Sequence, residues 1–101
     1  MTKLTPISRF IVSGNSMFPT LIEGQDILSF NWAYLGKRPK AGDVVVLKIG
    51  NREIVKRVKR VEDGMVEVVG DNKDWSTDSR EFGPVGIEQI VGKVIYQSSE
   101  P

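Results

Sequence analysis

Cysteine and histidine are both absent from the 101 residues. Without cysteine there is no disulfide and no thiolate chemistry, and an oxidising compartment is neither indicated nor excluded. Without histidine, Ser-His-Asp and Cys-His catalysis are excluded, and any metal site falls to carboxylates alone. An excess of one charge is missing too: 14 Lys and Arg against 13 Asp and Glu leave a net +1. No overall field exists to hold a phosphate backbone, so nucleic acid is not an expected partner. Long apolar runs are also lacking. The longest, Val44 to Leu47, falls far short of the roughly 20 residues that span a bilayer, so no transmembrane segment is expected. Met1 to Val12 is interrupted by Thr5, Pro6, Ser8 and Arg9 and does not form the apolar core of a secretory signal. The expected location is the cytoplasm, with membrane association through a missing anchor or a partner as the alternative.

What is present reads as one domain over residues 1–101, with hydrophobic (40%) and charged (27%) fractions ordinary for a globular chain. From Ile27 onward the apolar residues recur in short β-rich runs divided by turn signals, which predicts a mainly β fold. Expected strands are Phe10–Val12, Asp26–Phe30, Asp43–Ile49, Glu53–Val61, Met65–Val69 and Val91–Tyr96. Gly50-Asn51 and Asp63-Gly64 carry the signature of hairpin turns. Asn31 to Gly42 and Gly70 to Gly83 read as long connections, of the length that is usually functional or disordered in a small domain.

Three segments offer chemistry. In Ser13-Gly14-Asn15-Ser16-Met17-Phe18-Pro19-Thr20-Leu21, a hydroxyl sits where a short strand meets a tight turn, with backbone N–H groups following it. The plain alternative is that Ser16 caps a turn. In Arg52 to Val61, read as one strand, Ile54, Lys56, Val58 and Arg60 share a face, opposite Arg57, Lys59 and Val61. Lys56 thus stands between two β-branched apolar residues, and desolvation would lower its pKa towards the ~7–8 of a general base. The alternative is a solvated basic stripe. In Gly70 to Val85, Asp78 and Arg80 are placed to pair, and Ser76 offers a hydroxyl to an amine. Asp71 to Asp74 is carboxylate-rich but lacks the EF-hand spacing, so no metal and no cofactor is expected.

Together these segments resemble the type I signal peptidase family, in order and spacing, from Val12 to Val94. Ser16-Met17-Phe18-Pro19-Thr20-Leu21 is similar to the nucleophile box, Gly42-Asp43-Val44-Val45-Val46 to the strand leading to the base, and Lys56-Arg57-Val58 to the general-base box. Gly70-Asp71-Asn72 with Ser76, Asp78-Ser79-Arg80 and Gly83 resembles the last box, and Val91-Gly92-Lys93-Val94 closes the pattern. The resemblance implies a serine endopeptidase in which Ser16 attacks, Lys56 is the base, Ser76 orients the amine, and Asp78 and Arg80 pair to support the loop. It implies one oxyanion donor, the Ser16 N–H. It also implies a small antiparallel, barrel-like catalytic core of the kind shared with self-cleaving repressor proteases. The precursor substrate would bind as an added strand, with Ala or Gly favoured before the cut.

Two departures qualify this. Gly14 stands where several bacterial members have a serine that donates to the oxyanion, and Ser13 is one residue too early to be assumed its substitute. The membrane anchors and large accessory β-domain of bacterial signal peptidases are missing. Short soluble members with this box pattern resemble the maturation proteases of nickel superoxide dismutase, which makes removal of that precursor's leader the expected activity. Signal-peptide processing by an anchorless enzyme and a non-catalytic peptide-binding module are the alternatives. An autoproteolytic repressor would need a DNA-binding region that the chain has no room for.

Overall fold

The computed structural model describes residues 5–72 and 82–100. Among them are seven strands in chain order: β1 (Ile7–Ile11), β2 (Asp26–Phe30), β3 (Val44–Ile49), β4 (Arg52–Glu62), β5 (Met65–Val69), β6 (Val85–Gly86) and β7 (Ile90–Gln97). A 3₁₀ turn, Ile87–Gln89, leads into β7. The strands form one antiparallel sheet in the order β1-β2-β7-β3-β4-β5-β6. The mainly β expectation holds, and no described helix is long and apolar enough to cross a membrane.

The two central strands explain why simple alternation is muted here. In β3, Val45, Val46 and Leu47 are all buried, because consecutive side chains point to opposite faces and both faces are covered. Val45 and Leu47 join Val58, Val66, Val68, Val85 and Ile90 in one cluster. Val46 joins Val12, Met17, Leu21, Ile27 and Val91 in a second. The second cluster contains the anchors of the Ser16 turn, so the apolar pattern of the sheet also seats the chemistry.

Expected and observed strands differ in instructive places. β1 begins at Ile7, earlier than Phe10, since Ser8 and Arg9 still pair with Ser29 and Leu28. β6 was not foreseen; two residues carry no period, and only pairing of Met65 and Val66 with Gly86 and Val85 defines it. Strict alternation along β4 also fails. The ladder slips between Val58 and Arg60, as a bulge does by inserting one residue. Arg60 is thereby turned to Glu67, at 3.0 Å, away from the face of Lys56, while Val61 packs on the core.

The Asn31 to Gly42 connection is pinned from Asp43. Its carboxylate accepts from the Tyr34 hydroxyl at 2.7 Å and the Lys40 N–H at 3.0 Å, with the Lys93 ammonium at 3.7 Å. Burial pushes the Asp43 carboxyl up, but Tyr34, Lys40 and Lys93 outweigh it and hold it below its ordinary value. The Tyr34 hydroxyl is pushed up by burial and by the same carboxylate. Tyr34 packs against the core, whereas Trp32 remains 40% exposed.

Candidate active site

The turn that carries Ser16 is built by backbone bonds on either side. Val12 leaves β1 by donating to the Gln25 carbonyl at 2.9 Å and accepting from Gly24 N–H at 2.8 Å. Gly14 then redirects the chain at φ +79°, a conformation costing an L-residue about 1–2 kcal/mol. Its N–H donates to the Glu23 carboxylate at 3.0 Å. Two hydrogen-bonded turns follow, in which Phe18 N–H donates to the Asn15 carbonyl at 3.2 Å and Leu21 N–H to the Met17 carbonyl at 2.9 Å. The Phe18–Pro19 peptide is cis. Met17 and Leu21 drive these turns into the core, leaving Ser16 half-buried at their start.

Lys56 is reached by different means. It lies in β4 opposite Val45, between Ile54 and Val58 on the same face, and only 3% of it is exposed. Such burial is uncommon for lysine, whose ammonium is usually left in water. Ser16 and Lys56 both line one groove of about 630 Å³, with Phe10, Val12, Met17 and Ile54 among its walls.

A clasp between the two halves of the groove was not anticipated. The Arg57 guanidinium, on the face of β4 opposite Lys56, donates to both oxygens of Asp71 at 2.9 Å and 2.8 Å and to the Gly42 carbonyl at 2.7 Å. Thr20, at the end of the Ser16 turn, donates its hydroxyl to the same Asp71 carboxylate. Asn72 continues the link: its N–H donates to the Ser16 carbonyl at 2.9 Å and its side-chain amide to the Asn15 carbonyl at 3.0 Å. The hydrogen bonds from Arg57 hold the Asp71 carboxyl below the ordinary carboxylate range, against the opposing effect of burial, with Thr20 assisting. The same pairing raises Arg57. One carboxylate therefore ties the serine turn to the lysine strand.

Of the five residues singled out by sequence, Ser16 and Lys56 come together in the groove, and Ser76, Asp78 and Arg80 lie outside the described residues. Thr20, Arg57, Asp71 and Asn72 were named only as parts of motifs. A signal for Arg57 existed in strand parity, which turns it away from Lys56 and towards whatever follows β5. The carboxylates Asp71 to Asp74 had been weighed as oxygen ligands; Asp71 instead faces a guanidinium, and no metal-holding group of carboxylates occurs among the described residues.

A half-buried serine and a buried lysine thus line one groove beside the sheet strands. Residues 8–95 match the Peptidase S24-like family, and the chain belongs to it. That family is one of serine peptidases of the signal peptidase I-like type. Among curated relatives, it is 23% identical to thylakoidal processing peptidase 1 of Arabidopsis thaliana, over 89% of this chain and 41% of that protein. It is 55% identical to signal peptidase I of Bacillus caldolyticus over 38% of this chain and 21% of that protein. It is 31% identical to mitochondrial ATP-independent inner membrane protease subunit 1a of Arabidopsis thaliana, over 94% of this chain and 72% of that protein. The chain thus spans less than half the length of the first two.

Proposed function

We propose that the protein is an endopeptidase that removes an N-terminal leader from a precursor with a Ser16–Lys56 dyad. The observation that carries this reading is that the two residues, distant in sequence, line the same groove. The precursor lies as an extended strand between the Phe10–Val12 wall and the Arg52–Lys56 wall, where backbone hydrogen bonds supply affinity and side-chain pockets supply choice.

The neutral Lys56 amine takes the Ser16 hydroxyl proton as Oγ adds to the scissile carbonyl. The Ser16 N–H stabilises the oxyanion. Collapse breaks the C–N bond, the Lys56 ammonium protonates the departing amine, and an acyl-Ser16 ester remains. Water, deprotonated by Lys56, hydrolyses the ester and restores Ser16. By the family resemblance, Ser76 would orient the lysine amine, and Asp78 and Arg80 would pair in its support. The proposed substrate is the nickel superoxide dismutase precursor, on the resemblance of the box pattern to its maturation proteases; a secretory precursor is the competing one.

Incubating both precursors with wild type, Ser16→Ala and Lys56→Ala, and sequencing the new N-terminus, tests dyad and substrate together. Each substitution should lower kcat at least a thousandfold (about 4 kcal/mol); equal rates for all three remove the dyad. Because the base acts as neutral amine, the rate should climb with pH, and a rate constant from about pH 5 to about pH 10 would remove Lys56 as base. Binding without any product would favour the peptide-binding module, towards which the diversion of the Gly14 N–H to Glu23 points.

A further inference from the structure

The groove carries a second basic side chain far from the reacting pair. Across the β3–β4 hairpin, Ile49 is paired with Arg52 and Leu47 with Ile54, so Ile49, Arg52, Ile54 and Lys56 present their side chains to one face. All four line the groove. Among the described residues, Arg52 and Lys56 are the only lining residues with basic side chains. Apolar Ile54 separates them. Four residues at about 3.3 Å each set them about 13 Å apart.

Arg52 differs from the other arginines of the sheet. Arg9 is paired with Asp26, Arg57 with Asp71 and Arg60 with Glu67, whereas Arg52 is exposed and makes no ion pair among the described residues. Glu53, the one acidic lining residue among the described residues, alternates to the other side of β4, across from Lys48. Among the described residues, the outer end of the groove therefore presents the Arg52 guanidinium along the line a bound strand follows.

We propose that Arg52 is a specificity-determining residue that selects substrates with an Asp or Glu four positions from the scissile bond, on the segment filling the groove. The inference rests on the proteolytic reading for the position of that bond. A bound strand has the same rise as β4, so a residue four places from the one beside Lys56 returns to the same face, opposite Arg52. Ionic contact at an exposed site adds modest affinity but strong dependence on charge sign.

The test separates recognition from chemistry. The Ser16→Ala protein is titrated with fluorescent leader peptides in which Asp, Asn or Lys is scanned through each position, and anisotropy reads the dissociation constant. At one register the Asp peptide should bind about threefold to fivefold more tightly than the Asn peptide, with the difference fading as salt rises. Arg52→Ala should erase the preference, and Arg52→Glu should transfer it to the Lys peptide at the same register. Equal binding of the three peptides, no binding of any, or a preference that survives Arg52→Ala overturns the proposal. Cleavage of the same peptides by the Ser16 protein is scored separately: charge-selective binding without cleavage removes the peptidase reading and keeps Arg52, while cleavage indifferent to charge does the reverse.

Discussion

Asp71 accepts from three donors on two separated segments, which makes it the side chain on which the site's geometry most depends. Its depressed carboxyl means that the folded state holds the ionised form more tightly than the unfolded chain does. The resulting stability is complete above the ordinary carboxylate value near about 4 and is lost as pH falls through the lower folded value. Acid titration of the urea midpoint should therefore slope downward below about pH 4, and Asp71→Asn should flatten that slope. At neutral pH the same variant should lose about 1–2 kcal/mol, a figure already reduced for partial exposure of the pair. That Ser16 and Lys56 share a groove could be anticipated from the order of their motifs. The bond from Asp71 to Arg57 could not, because a carboxylate's partner is decided by the fold: the sequence placed Asp71 in a motif and weighed cation binding there only to set it aside.

At the scale of the element, β7 is the most constrained strand. A Cβ on Gly92 would collide with Ser29 Oγ and lie 2.7 Å from Asn31 Oδ1 and 2.8 Å from the Phe30 carbonyl oxygen. Ser29 is buried and donates to Asn31 at 2.9 Å, so those atoms have partners to lose by moving. Gly92→Ala should cost about 1–3 kcal/mol and lower Tm by about 4–8 °C per kcal/mol in a domain of this size, as calorimetry would read. Strand positions such as Asp26–Phe30 and Met65–Val69 were readable because β-branched runs end at clear turns. The bulge after Val58 was not, since nothing in Lys59-Arg60 distinguishes a slipped ladder from a continuous one; only the register against Glu67 reveals it.

For the molecule as a whole, the order of strands divides the sheet into two parts. β1 and β2 carry the chain into and out of the Ser16 turn, while β3 to β6 hold Lys56 and the strands beside it. Hydrogen exchange should be slowest in β7 and β3, which are paired on both sides, and fastest in β1 and β6 at the margins of the sheet. Peptide binding should slow exchange at Phe10–Val12 and Arg52–Val55; protection confined to the opposite margin would refute the groove as the binding place.

β7 is the strand that joins those two parts, pairing with β2 on one side and β3 on the other. Near its end Gln97 donates to the Thr20 carbonyl at 3.0 Å, and Ser98 exchanges backbone and side-chain bonds with Gln25 and Asp26. It is also the last strand of the sheet to leave the ribosome. The segments that carry Ser16 and Lys56 are therefore both made before β7, so the clasp of Asp71 and Asn72 can link them before β7 pairs with β2 and β3 and closes the sheet between them.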